Sequence, residues 1–514
     1  MPGNHPRSTD PQVHDVIGIG LGPFNLSLAC LLAPLAQGAT PCQALFLDSR
    51  AQFDWHPGML IDETTLQNPC LADLVSLADP TSRYSYLNYC KQQGEIYAHY
   101  FNGPHFITRE AFNRYCQWAS RSLPNVRFGH EVIGVSHEVQ QGRSVYHVQA
   151  RRADGTHVSF AARKLVLGIG AQPSLPACCD EQPQRWLHSA HYLQHKAQLL
   201  DKRSITIVGS GQSAAEVCHD LLKEAEQRGT TVNWITRSPY FFQMETTRLT
   251  LEMFSPDYTD YFYHLPEARK AAVLAGQDSL YKGINAQLMD QIYQQLERAR
   301  RRRSFQAHLV TQSELRRCRH DEGSGQHVLE FHRTDTGEAF EHRTDGLIFA
   351  TGYRQRVPRF LGGIEHRLRF DRQGRYQPTR DYAVDINGDE VYVQNGGLHS
   401  HGLSNPELGL ACYRNSCLIR ALTGVALVWM HMAVRAMERG NVSKGRDPRT
   451  GKNCRPAPAS ERGSSPPSPC APVVRSASTS ADRSSPAASR RGPRALPPPW
   501  PQAESARVAA DDGL

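Results

Sequence analysis

Two short apolar runs along the chain break at glycines and reopen as helix-like stretches, a pattern that predicts strand, tight turn and helix twice over. The first reads Asp15-Val16-Ile17-Gly18-Ile19-Gly20-Leu21-Gly22-Pro23-Phe24-Asn25, and the second Ile205-Thr206-Ile207-Val208-Gly209-Ser210-Gly211-Gln212-Ser213-Ala214-Ala215-Glu216. An apolar strand follows each: Ala44-Leu45-Phe46-Leu47, closed by Asp48, and Val232-Asn233-Trp234-Ile235-Thr236, closed by Arg237. Two more runs have the continuous apolar character of buried strands. They are Leu165-Val166-Leu167-Gly168-Ile169-Gly170, leading into Gln172-Pro173, and Asp345-Gly346-Leu347-Ile348-Phe349-Ala350-Thr351-Gly352-Tyr353. The second of these reads as a late strand returning to the first nucleotide domain.

Each turn has the order that a dinucleotide diphosphate requires. Glycines permit the bend and close backbone approach, and a helix N-terminus offers unpaired N–H groups at a positive dipole end. A lone Gly-x-Gly also serves as an ordinary strand-to-helix connection, so the strand ends decide. Asp48 is placed to accept ribose hydroxyls, which suits the adenosine half of FAD or NAD. Arg237 puts a cation where a carboxylate would read ribose, which suits the 2′-phosphate of NADP; the bland alternative is a solvated surface arginine. The expected fold class is therefore α/β, with two Rossmann-like dinucleotide-binding domains, the FAD domain split by an inserted NADP domain, plus a small substrate-capping part. Expected boundaries are a flexible N-terminus (1–12), the first part of the FAD domain (13–200), the NADPH domain with capping helices (201–344), the second FAD part (345–425), a helix (426–439) and a disordered tail (440–514). The capping part is expected to include the helical segment from Leu280 to Arg303.

Composition changes this picture little. The 514 residues suffice for two or three domains, and the net charge of +8 lies largely in an arginine-rich tail. No Lys/Arg stretch is interleaved with aromatics as a nucleic-acid stacking surface would need, and Arg298 to Arg303 reads as a solvated helix end. The 13 cysteines are scattered without metal-ligand or Cys-x-x-Cys spacing, which suits a reducing cytoplasm and predicts no metal. The apolar stretch Val425 to Val434 is too short to span a bilayer. The Pro-, Ser-, Ala- and Arg-rich tail cannot bury enough surface to offset its ordering entropy.

Between and beyond the turns lie Phe53-Asp54-Trp55-His56-Pro57-Gly58-Met59-Leu60, Leu66-Gln67, Asp73-Leu74-Val75-Ser76-Leu77-Ala78-Asp79-Pro80-Thr81-Ser82, Tyr84-Ser85-Tyr86-Leu87-Asn88-Tyr89 and His399-Ser400-His401-Gly402-Leu403. In this order, over roughly residues 13 to 425, the set resembles the flavin-dependent N-hydroxylating monooxygenases of hydroxamate siderophore biosynthesis. The resemblance implies that NADPH reduces FAD, that the reduced flavin captures O₂ as a C4a-hydroperoxide, and that a primary amine attacks its distal oxygen. It also implies that Gln67 packs beside the isoalloxazine as the catalytic-site residue and that Trp55 and His56 line the FAD site. Gln212, Ser213 and Arg237 would contact NADPH, beside the glycines Gly209 and Gly211. Gly18, Gly20, Gly22, Pro23, Asp48, Thr351, Gly352, His401, Gly402 and Leu403 complete the expected cofactor set. A homo-oligomer and a downstream siderophore acyltransferase or synthetase are the partners it implies.

Departures from the family pattern bear on the amine. Members that act on ornithine or lysine carry Phe-Leu-Lys-Asp-Leu-Val after the flavin-side glutamine, and that lysine holds the substrate carboxylate; this chain reads Cys70-Leu71-Ala72-Asp73-Leu74-Val75. Leu251 and, by a looser alignment, Tyr281 stand where the ornithine enzymes have substrate asparagines. A buried carboxylate without its partner costs roughly 3–5 kcal/mol, so the expected substrate is a diamine such as putrescine or cadaverine. Asp73, Glu245 and Asp257 are candidates for the distal ammonium. The opposing reading has Lys282 replacing the lost cation and lysine or ornithine as substrate. A third is a non-hydroxylating FAD/NADPH oxidoreductase, disfavoured for a disulfide reductase by the absence of a redox cysteine pair.

Overall fold

The computed structural model describes residues 12–426 apart from 38–40, 103–105, 180–182 and 304. The expected flexible N-terminus up to residue 11, the expected C-terminal helix from residue 427 and the expected disordered tail lie outside the described residues. The rest forms two α/β lobes.

In the first lobe the strand Val13–Ile19 lies between Ala44–Leu47 and His157–Leu167, parallel to both. Successive side chains point to opposite faces, and both faces are covered. Val16 and Phe46 join a core with Leu26, Tyr115 and Ile419, while Ile17 and Leu45 pack with Tyr146, Leu165 and Val393. The long strand His157–Leu167 pairs antiparallel with Arg143–Arg152 along its first half and parallel with Val391–Val393 at its end. The sheet thereby reaches seven strands.

The second lobe holds a four-stranded parallel sheet in the order Ala307–Val310, Thr231–Ile235, Ser204–Val208, Gly346–Phe349. Here two expected boundaries are corrected. The run from Asp345 does not return to the first sheet: Gly346–Phe349 pairs with Ser204–Val208, with Ile205 opposite Gly346. The helix Tyr192–Leu200 also belongs to this lobe, because Tyr192 and Leu199 are buried with Ile205, Ile207 and Trp234. A continuous apolar run is compatible with any fully buried strand, so periodicity does not say which sheet receives it. The chain crosses between lobes at Gln172–Pro173 and Tyr353–Arg354, which pair antiparallel as a short ribbon.

A third correction concerns the capping helices. The helix Ala286–Arg302 carries Leu288, Ile292, Leu296 and Ala299 on one face, and the first three pack with Ala214 and Leu221 of the helix Gln212–Arg228 in the core of the second lobe. Of the expected segment only its start, Leu280 and Tyr281, joins the cluster around Leu403, together with the earlier helices Pro256–Tyr263 and Glu267–Ala275. This capping part packs through Tyr258, Phe262 and Leu280 on Leu403. No helix among the described residues is long and apolar enough to cross a membrane.

Candidate active site

The first turn is shaped by contacts that leave no room for side chains. A Cβ on Gly18 would lie 2.2 Å from the Phe46 ring, and one on Gly20, at φ +84°, would lie 2.7 Å from the Gly168 carbonyl oxygen. Gly22 differs: a Cβ there would meet only Gly168 O, at 3.8 Å. It opens the helix Pro23–Leu32, whose first turn has neither a capping side chain nor an acidic residue. Open space against uncapped N–H groups at a helix start is what a diphosphate needs, and the site fits FAD on that ground.

Asp48 is engaged otherwise than expected. Its Oδ2 accepts the Leu21 amide at 2.7 Å and Arg50 Nη2 at 2.8 Å, and its Oδ1 accepts the Arg50 amide and Nε, both at 2.9 Å. A carboxylate has about four acceptor positions, so the expected ribose contact has none left in this arrangement. Burial pushes the Asp48 carboxyl up, but Arg50 and the two amides more than offset this and hold it below the usual range. Asp48 and Arg50, which also donates to Leu21 O at 3.0 Å, thus brace the turn.

At the second turn Gly209 (φ +136°) would place a Cβ 2.2 Å from Ala350 O, so the strand Gly346–Phe349 leads straight into contact with it. Gly211 opens the helix Gln212–Arg228 without a side-chain cap or an acidic residue in its first turn. Gln212 accepts the Asn285 amide and donates to Glu216 Oε1, both at 2.9 Å. Its side chain therefore stitches two helices together, while Ser213 stays half-buried beside it. Arg237 is exposed at the end of Thr231–Ile235, with no ion pair among the described residues. An exposed cation beside an uncapped helix start fits an NADP phosphate.

Where the lobes face each other, His56 adopts the left-handed region at φ 52° as the cap of Pro57–Met59. Its ring lies 4.9 Å from Trp55 and 5.6 Å from Tyr353, which ends the inter-lobe crossing. The ring is reachable by solvent yet crowded. Loss of hydration, with Arg109 and Arg50 nearby, lowers its pKa to about 4, so it is neutral near pH 7. Arg109 forms two parallel bonds to Glu216, of 2.7 and 2.8 Å. Among the described residues Gln67 Nε2 is a buried donor with no partner, which fits a residue that would hold a bound group.

Thr351 and Gly352 lie at the crossing, where Thr351 Oγ1 donates to Ser174 O and Gly352 O accepts the Ser174 amide at 2.9 Å. His401 is fully buried between Ser400 Oγ (2.9 Å) and Arg380 O (3.2 Å), and its ring stacks on Tyr382 at 4.3 Å. A Cβ on Gly402 would strike the Phe262 ring at 2.8 Å, and Leu403 is buried in the same cluster. This motif anchors the capping helices to the first lobe.

The expected substrate residues separate. Ala72 is buried, and its Cβ lies 3.7 Å from where Gly409 would carry a side chain. Leu251 is 48% exposed, and Tyr281 packs against the Leu403 cluster. Lys282 Nζ pairs with Asp278 at 2.8 Å and sits over the Tyr281 ring, so this cation is already engaged. Asp73 is also consumed, by the amides of Val75, Ser76 and Tyr86 and the Ser76 hydroxyl. Glu245 and Asp257 are exposed. Sequence reasoning missed Arg50, Arg109 and the role of Glu216; an acidic residue amid Ala214, Ala215 and Val217 was the available signal for a buried pair.

Comparisons with known proteins identify the family. The model of the family described as L-lysine 6-monooxygenase/L-ornithine 5-monooxygenase matches residues 12–355. The alcaligin biosynthesis enzyme of Bordetella pertussis is 52% identical over 413 residues, covering 80% of this chain and 88% of the relative. The putrescine N-hydroxylase of Shewanella oneidensis is 43% identical over 421 residues, covering 82% and 83%. Among solved structures, FAD-bound DfoA, the desferrioxamine-pathway cadaverine monooxygenase of Erwinia amylovora, superposes with a TM-score of 0.77 at 43% identity, covering 81% of this chain and 96% of that one.

Proposed function

Because the chain belongs to the L-lysine 6-monooxygenase/L-ornithine 5-monooxygenase family, we propose that it N-hydroxylates a primary aliphatic diamine, putrescine or cadaverine. FAD, NADPH and O₂ are the co-reactants, and hydroxamate siderophore biosynthesis is the setting. What supports this choice of amine is Ala72: a buried alanine stands at the sequence position where members acting on lysine or ornithine carry a lysine, and Lys282 is engaged by Asp278. The names of the alcaligin, putrescine and cadaverine relatives support the same choice.

Bound flavin, reduced by NADPH, supplies the activated oxygen that the amine nitrogen takes up. The chain's own part is placement. Gly20, Gly22 and the Pro23 helix start would hold the diphosphate, with Asp48 and Arg50 fixing the turn; Trp55, His56 and Gln67 would line the ring, and Gln67 Nε2 has a hydrogen bond to give. Gly211, Ser213 and Arg237 would take NADPH. The reacting amine must lose its proton, and a lysine-like amine has a pKa near ~10.4 in water. Desolvation lowers that value, so no dedicated base is needed.

The test is an NADPH-dependent assay of putrescine, cadaverine, ornithine and lysine side by side, scoring hydroxylamine formed rather than NADPH lost. Diamines should be the better substrates. Faster hydroxylation of lysine or ornithine would overturn the reading, and NADPH oxidation with no hydroxylamine from any of the four would favour a non-hydroxylating oxidoreductase.

A further inference from the structure

Glu407 lies in the segment between the His401 motif and the helix Ala411–Thr423. Its Oε1 lies 3.9 Å from the point where Gly409 would carry a Cβ, and the Ala72 Cβ lies 3.7 Å from that same point. The carboxylate and the alanine therefore both border the side-chain position that Gly409 leaves empty. The loops are tied together elsewhere too, since Cys412 Sγ reaches Asp73 O at 3.7 Å. Among the described residues no lysine, arginine or histidine pairs with Glu407. It accepts the Gly409 amide at 3.3 Å and has the Asn68 side chain, one residue after Gln67, beside it.

Glu407 is half-buried, with protein packed closely around its carboxyl. Burial pushes its carboxyl above the usual range. An ionised group so placed gains most from a cation that arrives desolvated with it. We propose that Glu407 receives the distal ammonium of the diamine, in the space that Ala72 leaves open. The assignment rests on the diamine reading. It adds the acceptor that none of Asp73, Glu245 and Asp257 is placed to provide: Asp73 is filled by its own loop, and the other two are exposed.

A purely structural role, capping the turn Leu408–Leu410 through the Gly409 amide, predicts a different result. Glu407→Gln keeps an acceptor for that amide and removes only the charge. The discriminating measurement is the ratio of kcat/KM for a diamine to that for the monoamine of equal chain length, cadaverine against pentylamine and putrescine against butylamine, with FAD content and melting temperature as controls on folding. The wild type should favour the diamine, and Glu407→Gln should lower that ratio by about 30- to 1000-fold, mainly through KM. Glu407→Asp should restore part of it. Ala72→Lys should raise diamine KM by placing a tethered ammonium against Glu407. An unchanged ratio in Glu407→Gln, or unchanged diamine KM in Ala72→Lys, overturns the assignment while diamine turnover by the wild type leaves the reading of the substrate intact. Preference of the wild type for lysine or ornithine overturns both.

Discussion

Arg109 and Glu216 join the two lobes through a two-pronged ion pair, with bonds of 2.7 and 2.8 Å, and the Glu216 side chain is only 2% exposed. Arg109 begins the helix Arg109–Arg121 of the first lobe, and Glu216 sits in the second turn of the helix that opens at Gly211. The pair therefore fixes the second nucleotide turn relative to His56 and Tyr353. Breaking it should cost more than its net worth, because it strands a buried charge. Glu216→Gln is expected to lose about 3–5 kcal/mol in denaturant unfolding and to slow flavin reduction by NADPH. An Arg109→Met/Glu216→Met double variant should be less damaged than either single change. A single-variant loss below about 1 kcal/mol, the range of exposed pairs, would show that the lobes are held by other contacts.

The glycines of the first turn should separate by mechanism. Gly18→Ala drives a methyl group into the Phe46 ring, an overpacking that costs about 1–3 kcal/mol or more, and it should reduce the yield of folded protein. Gly22→Ala has backbone angles open to any residue (φ −77°, ψ 179°) and open space. It should fold normally and, if the diphosphate approaches at Gly22, lose FAD affinity by roughly tenfold or more. Equal FAD content in Gly22→Ala and wild type would place the diphosphate elsewhere.

Arg237→Ala should leave the fold intact, since the side chain is exposed. If the residue reads the 2′-phosphate, the preference for NADPH over NADH should fall by about 10- to 100-fold through KM. Steady-state kinetics with both nucleotides measures this directly; an unaltered preference would return Arg237 to the solvated surface.

Acid should destabilise the protein in two overlapping windows. Burial lowers the His401 pKa from 6.5 to about 3. The unfolded chain then binds a proton that the folded one refuses, and stability falls as the pH drops from 6.5 toward 3. Glu390 has the carboxylate sign. Burial pushes it up, but Ser144, Tyr146, Asn387 and Arg367 hold it at about 2 against an ordinary 4.5, so its contribution is present above pH 4.5 and is lost as the pH falls through 2. Melting temperature against pH should show Glu390→Gln flattening the lower limb and His401→Asn the upper one. A wild-type profile level from pH 6.5 to 4 would contradict the His401 assignment, and one level from pH 4 to 2 would contradict the Glu390 one.

Both turns and the strands after them were legible because local chemistry decides them: apolar run, glycine, helix start. The helix Ala286–Arg302 was legible as a helix from its apolar spacing, but not its partner, since Leu288 and Ile292 say only that one face is buried. Gly346–Phe349 was assigned to the wrong domain for the same reason. The site's ionic contacts were hidden by distance along the chain. Arg109 and Glu216 are 107 residues apart, and nothing near either names the other. Glu407 stands in a loop without periodicity and meets Ala72 only after the fold closes.

The ribbon formed by Pro173 and Tyr353 means that the nucleotide-binding insert leaves and rejoins its host at a single spot. Accommodating so long an excursion there adds little closure entropy and interrupts no strand of the host sheet. The insert can thus be exchanged through two breakpoints that adjoin in space, one beside Pro173 and one beside Tyr353, with Arg109 and Glu216 as a contact that a newcomer would have to match.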